Sequence, residues 1–189
     1  MIENNKSEKI YLTYKTRMTT EARLREKAFL SNAFLAWYSF TLIVFSLMDI
    51  SSKFLITNFS MISAVVSIAI FAMSLFLYGQ RYTERADQFR ECYLKLQSLY
   101  QSELSMAVKM TKYSEIIALY ENQSDRDFDE MVFDCYLRGQ VLQNSVGILK
   151  ISRSILLLVA TRRLFRAILV CSIFLIPVLF GILWVRPTA

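Results

Sequence analysis

Residues 54–80 read FLITNFSMISAVVSIAIFAMSLFLYGQ, a run without a single charge between Lys53 and Arg81. A helix rises about 1.5 Å per residue, so roughly 20 apolar residues cross a hydrocarbon core ~30 Å thick. This run is long enough, and it is not alone. Residues 28–48, AFLSNAFLAWYSFTLIVFSLM, are uncharged up to Asp49, and residues 167–185, AILVCSIFLIPVLFGILWV, lie between Arg166 and Arg186. The first run is the most polar, holding Ser31, Asn32, Ser39, Thr41 and Ser46, but its Phe, Leu and Trp content compensates. The third contains Pro177, which lacks the backbone N–H a helix interior uses, so a kink is expected there. The pattern predicts an all-α integral membrane protein. A transmembrane hairpin occupies 28–80, with spans at about 29–48 and 56–79, and a third C-terminal span occupies 167–185.

Composition excludes the main alternatives. Of 189 residues, 54% are hydrophobic, with only 4 Gly and 2 Pro, and the apolar excess is gathered into runs. So few turn-formers argue against a sandwich or barrel, which turns every ~8–12 residues. The count of His is 0, which removes imidazole acid–base chemistry, His-based triads and most zinc sites. A signal peptide in the first run is not expected, because a segment of mixed charge with Glu3, Glu8, Glu21 and Glu26 precedes it.

Basic residues set the expected orientation. Lys6, Lys9, Lys15, Arg17, Arg23, Arg25 and Lys27 precede the first span, thirteen Lys or Arg lie between positions 81 and 166, and the loop between the first two spans holds only Lys53. Lys and Arg collect on the cytoplasmic side. The N-terminal helical segment 1–27, the region 81–150 and the basic juxtamembrane segment 151–166 are therefore placed in the cytoplasm, with the C-terminus outside if the third segment inserts. Trp37, Tyr38, Tyr78 and Trp184 are read as interfacial aromatics near span ends.

Beyond Arg81 the apolar residues follow a helical period: Tyr82, Ala86, Phe89, Tyr93, Leu96, Tyr100, Ala107 and Met110. No Gly or Pro separates this stripe from Gly79, so one long helix continuing out of the second span is expected. Glu84–Arg81 and Asp87–Arg90 are expected to pair on its outer side. Ser124, Asp125 and Asp127 mark the start of a further helix, Ser124 and Asp127 as capping candidates. After Cys135 there is no acidic residue, while Lys150, Arg153, Arg162, Arg163 and Arg166 accompany an apolar string around 148–159. Contact with anionic headgroups is one reading, and a longer helix burying part of this string is the other.

Chemistry-bearing motifs are scarce. Cys92, Cys135 and Cys171 share no CxxC spacing and are read as reduced and structural. Asp125, Asp127, Asp129 and Glu130 lack a spaced ligand set, so capping is favoured over a cation site. No glycine-rich phosphate loop exists. No catalytic residue, cofactor or metal is expected, and direct nucleic-acid binding is not indicated, because the positive-inside bias accounts for most of the net charge of +6. Within the spans, Ser60, Ser63, Ser67 and Ser74 share a helix face, as do Asn32, Ser39 and Ser46 with Ala36. Such a stripe could line a water path or let helices pack closely, and composition alone favours packing. Two or three helices per chain cannot enclose a pore, so conduction would require a closed ring of subunits.

Two spans with a short loop are followed by Arg81-Tyr82-Thr83-Glu84-Arg85-Ala86, Phe89-Arg90-Glu91-Cys92-Tyr93, Leu96-Gln97-Ser98-Leu99-Tyr100, Tyr113, Leu119-Tyr120-Glu121-Asn122-Gln123-Ser124-Asp125 and Asp127-Phe128. This chain resembles the SLATT family of two-span effector domains from bacterial conflict systems. The extra span after a basic stretch is most similar to its fifth subfamily. The family's usual His near Asn-x-Ser is Gln123 here. The resemblance implies a homo-oligomer that permeabilises the inner membrane when a separate partner signals infection. Such partners are a nucleotide synthase, a SLOG-type sensor or a reverse transcriptase. The resemblance also puts the pore reading of the serine stripe level with packing. On the pore reading, the helix leaving the second span is expected to couple a cytosolic ring to the spans and to oligomerise through Arg81, Tyr82, Arg85, Ala86, Phe89, Tyr93, Leu96 and Tyr100. This stripe is expected to pack on the N-terminal segment or on neighbouring subunits.

Overall fold

The computed structural model describes residues 2–50, 59–140, 142–144, 147–148 and 152–184. Lys53, Lys150, Arg186 and residues 54–58 and 185 of the expected spans lie outside them. The protein is all-α. The helices among the described residues are α1 (Ile2–Ile50), α2 (Phe59–Gly79), α3 (Tyr82–Gln101), α4 (Met106–Ala118), α5 (Asp125–Leu137) and α6 (Arg153–Trp184). A two-residue antiparallel ladder, β1 (Gln143–Asn144) with β2 (Gly147–Ile148), sets Gln143 opposite Ile148. Three helical stretches, within α1, across α2 and in α6, are long and apolar enough to cross a membrane.

The great length of α1 follows from the absence of any Gly or Pro before Gly79. Its Thr residues, weak helix formers, bond back to the preceding turn: Thr13 Oγ1 donates to the Lys9 carbonyl at 2.8 Å and Thr16 Oγ1 to the Leu12 carbonyl at 2.9 Å. The expected single helix through α2 and α3 is interrupted. Gln80 and Arg81 donate their N–H groups to the Leu77 and Tyr78 carbonyls, and Arg81 adopts φ 49. That left-handed turn closes α2 with three-residue bonds, and the period of the side chains gives no sign of it. The stripe is broken a second time, because α3 ends at Gln101 and α4 starts at Met106. Ser102 Oγ donates to the Leu99 carbonyl at 2.7 Å, closing the end of α3 with a side chain. At the end of α5, Gly139 supplies a φ of 65 while the Gln140 N–H reaches the Cys135 carbonyl at 2.9 Å. This Schellman closure favours Gly at that position.

The chain divides into two compact units. One comprises residues 1–26 and 82–163, the other residues 27–81 and 164–189.

In the first unit, the N-terminal part of α1 supplies the core. Ile10 and Tyr14 pack with Cys92, Leu96, Leu99 and Tyr113, while Leu24 packs with Ala86 and Phe89. A third cluster joins Met131, Val132, Cys135 and Leu142, against which Tyr11, Leu12 and Phe128 lie. The buried line of α3 is thus Ala86, Phe89, Cys92, Leu96 and Leu99. Tyr93 and Tyr82 flank it half-buried, and Tyr100 is exposed with its ring 5.8 Å from that of Tyr11 and 6.0 Å from that of Tyr14.

In the second unit, α1 and α6 are joined through side chains. Trp37 Nε1 donates to the Phe174 carbonyl at 3.1 Å and the Tyr38 hydroxyl to the Ile173 carbonyl at 2.9 Å. The Phe45 and Phe180 rings lie 5.6 Å apart, and a Cβ on Gly181 would come within 3.1 Å of Phe45 Cε1. Trp37 and Tyr38 are therefore not boundary anchors. They sit in the middle of the first uncharged run, where an indole N–H or phenol O–H needs a partner and α6 provides one. Helix α6 continues through the buried Pro177.

Candidate functional site

Four of the pore-lining candidates lie on α2, whose buried residue is Phe59. Ser60 and Ser67 are exposed and Ser63 and Ser74 half-buried. Their hydroxyls turn inward on the helix itself: Ser63 Oγ donates to the Ser60 carbonyl and Ser67 Oγ to the Ser63 carbonyl, each at 2.9 Å, and Ser74 Oγ to the Phe71 carbonyl at 2.7 Å. A back-bonded hydroxyl tolerates lipid, yet keeps an acceptor lone pair for water or a neighbouring helix. On α1, Asn32 is exposed and Ser39 and Ser46 are half-buried. No hydrogen bond joins the two sets among the described residues. Around the serines, Met61, Val65, Ile68, Phe71, Leu75 and Phe76 are all more than half exposed.

The other unit is organised by charge. Arg23 Nε lies 2.7 Å from Asp127 Oδ1, and Asp127 is fully buried. Ser124 is the N-cap of α5 and Asp127 its N3 residue. The Asp127 carboxylate accepts from Ser124 Oγ at 2.8 Å and from the Ser124 N–H at 3.2 Å. One carboxylate thus caps α5 and ties it to α1. Arg163 donates to Glu130 at 2.9 Å and Asp134 at 2.7 Å, and Arg162 lies 4.0 Å from Asp129. Asp127, Asp129 and Glu130 each face an arginine, and no group of three or more His, Cys, Asp or Glu that could hold a metal ion occurs among the described residues. Arg163, expected near headgroups, is committed to two carboxylates, whereas Arg153 is exposed. Of the apolar string that precedes them, Val159 is fully buried and Leu157 and Leu158 are exposed. Arg166 is half-buried.

On α3, Arg85 grips Glu121 with two bonds of 3.0 and 2.7 Å. Asp87, expected to pair with Arg90, is held by Arg25 of α1 at 2.9 Å. Proximity in sequence is overridden here by a helix packed alongside. Lys95 bridges Glu91 at 2.7 Å and the Tyr120 hydroxyl at 2.8 Å, which holds the Glu91 carboxyl below its ordinary range.

The sequence pattern did not reveal Arg17. It is fully buried, donates from Nη1 to Cys92 Sγ at 2.8 Å and from Nε to Gln123 Oε1 at 3.2 Å, and lies 5.8 Å over the Phe89 ring. Its Nη2 has no hydrogen-bond partner, and no carboxylate pairs with it among the described residues. Burial pushes the Cys92 thiol up in pKa despite the neighbouring guanidinium, so a neutral thiol faces the cation at neutral pH. The available signal was periodic: Ile10, Tyr14, Arg17 and Leu24 recur at helical spacing.

Residues 3–183 match the family described as SMODS and SLOG-associating 2TM effector domain family 5. No curated protein and no solved structure matches the chain. The match takes in the apolar stretches of α1 and α2, the network around Asp127 and nearly all of α6, so the third apolar helix lies inside the family region. On this evidence the chain belongs to the fifth SLATT family, the membrane effector domains named for their association with SMODS and SLOG proteins.

Proposed function

We propose that this protein is a pore-forming effector of a bacterial antiphage system. It assembles as a homo-oligomer in the inner membrane and permeabilises it when a separate sensor or signal-producing protein reports infection. The observation that carries this reading is α2, an apolar helix with a serine face that buries only Phe59 within its own chain. In a ring of subunits that surface would meet neighbours on one side and water on the other. The Lys and Arg distribution supports a cytoplasmic N-terminus and charged unit, with the C-terminus outside if the third span inserts. The positive-φ break at Arg81 interrupts α2–α3, whereas α1 and α6 each contribute residues to both units. Coupling of a cytoplasmic signal to the spans is therefore assigned to α1 and α6. A trigger works only by binding the open and closed states unequally.

Membrane potential and dye entry after induction in bacteria, with the operon neighbours present, test the reading. Depolarisation ahead of viability loss is expected, and Ser63→Leu or Ser67→Leu should abolish it with insertion intact. Toxicity persisting in both variants would remove the serine face as a conduit. The back-bonded serine hydroxyls favour a second reading, a non-conducting membrane anchor that scaffolds a soluble partner. Capture of that partner with membrane potential unchanged would decide for the anchor.

A further inference from the structure

The face that α1 buries in the charged unit is unusually polar. Among the described residues of α1, Ile10, Tyr14 and Leu24 are its buried apolar side chains, and Thr13, Thr16, Arg17 and Thr20 are buried beside them. Each of these threonines bonds within its own helix: Thr13 Oγ1 donates to the Lys9 carbonyl, Thr16 Oγ1 to the Leu12 carbonyl and Thr20 Oγ1 to the Thr16 carbonyl at 3.1 Å. Those bonds survive if α1 leaves its neighbours, so separation strands no hydroxyl. Across the interface Thr13 Oγ1 meets the Tyr113 hydroxyl at 3.0 Å.

Arg17 works against docking. Its guanidinium is fully buried, Nη2 has no hydrogen-bond partner, and the groups around it are the Cys92 thiol, the Gln123 amide and the Phe89 ring. None of them supplies a full negative charge, and a cation taken from water without one is destabilising. Release of α1 returns that charge to water. Two ion pairs hold α1 in place: Arg23 with the buried Asp127 at 2.7 Å, and Arg25 with Asp87 at 2.9 Å, the latter exposed on both sides and therefore weak. Segments with few buried apolar contacts open locally before the whole structure unfolds. From this face α1 runs unbroken to Ile50, through the first stretch apolar enough to cross a membrane.

We propose that the stretch of α1 from Ile10 to Arg25 is a detachable element whose release from α3, α4 and α5 carries the signal to the first span. The buried Arg17 guanidinium sets how readily it detaches, and the Arg23–Asp127 pair holds it docked. An apolar side chain at position 17 closes the unit, and loss of the Arg23 charge opens it. The link from release to conduction rests on the pore reading; the release itself does not.

Cys92 reports the release, because it is fully buried and bonded by Arg17. The test is peptide-resolved alkylation of Cys92 by N-ethylmaleimide in the full chain in neutral detergent. Once α1 has detached, the thiol reacts as a free one whichever residue stands at position 17, so the rate reads the detached fraction. The parent chain should label with a shallower urea dependence than global unfolding shows. Arg17→Met should slow labelling about tenfold or more, and Arg23→Gln should quicken it about tenfold or more. Arg17→Lys keeps the buried charge and should label at least as fast as the parent. Labelling that is not slowed in folded Arg17→Met, or that follows the urea dependence of global unfolding, would overturn the proposal. In bacteria with the operon neighbours present, Arg17→Met should insert normally and depolarise about tenfold more slowly than the parent. Undiminished depolarisation by a variant with slowed labelling would overturn the link from release to the span. A parent chain that never depolarises the membrane would sink the pore reading instead, and labelling alone would then decide the release.

Discussion

The Tyr38 hydroxyl donates to the Ile173 carbonyl at 2.9 Å, the acceptor four residues before Pro177 and the one that proline's missing N–H would otherwise have left unbonded in α6. In hydrocarbon no water can fill that role, so a side chain of α1 repairs the backbone of α6 and ties the two helices together. Tyr38→Phe should therefore destabilise the α1–α6 pair by about 0.6–1.7 kcal/mol, the range for interhelical hydrogen bonds in membranes. The cost should shrink when Pro177→Ala restores the intrahelical bond. Thermal unfolding of the four combinations in detergent gives the coupling, and identical costs of Tyr38→Phe in both backgrounds would refute the repair.

Asp127 holds Arg23 of α1 and caps α5 from a fully buried position. Asp127→Asn should cost about 3–5 kcal/mol, because it leaves a partly buried guanidinium without its counter-charge. Combining it with Arg23→Gln should cost less than the two single changes added together. Additive losses in chemical unfolding would show that the pair is not coupled.

Arg17 makes the opposite case, a buried cation without a carboxylate. Replacement by an apolar side chain of similar length removes the desolvation penalty and keeps the volume. Arg17→Met should leave stability within about 1 kcal/mol or raise it, while Arg17→Ala opens a cavity costing about 2–5 kcal/mol. If Met lowers the melting temperature as far as Ala does, the guanidinium itself holds the core.

Burial among Tyr11 and Tyr100 pushes the Tyr14 phenol up to about 12 from 10.0. Between these values the folded state keeps a proton that the unfolded chain releases. Stability linked to this group is present below pH 10 and lost as pH rises towards about 12. Melting temperatures measured from pH 9 upward should fall less steeply in Tyr14→Phe than in the parent chain. Equal slopes would exclude Tyr14 as a source of the alkaline loss.

What the sequence determined by itself was the class of molecule and the positions of its apolar helices. Uncharged runs of membrane length and the absence of Gly and Pro before Gly79 are local facts, and local facts suffice where solvent and helix propensity decide. The helical period likewise identified Ala86, Phe89 and Leu96, which prove to be buried, and Ser124 as a helix start. Cys92 and Leu99 lie on the same buried line but were outside the stripe read from spacing, because a thiol and a Leu beside Tyr100 are ambiguous until a partner surface fixes the face. The break at Arg81 has no Gly or Pro at the left-handed residue itself and was invisible for that reason.

Only the tertiary structure decided the partners. Arg23 with Asp127, Arg25 with Asp87, Arg163 with Glu130 and Asp134, and Tyr38 with Ile173 join positions between 29 and 135 residues apart. Many acids and bases in this chain have the reach to pair. Which of them do so is fixed by the helices that burial brings side by side, and a one-dimensional pattern of charges carries no record of that choice.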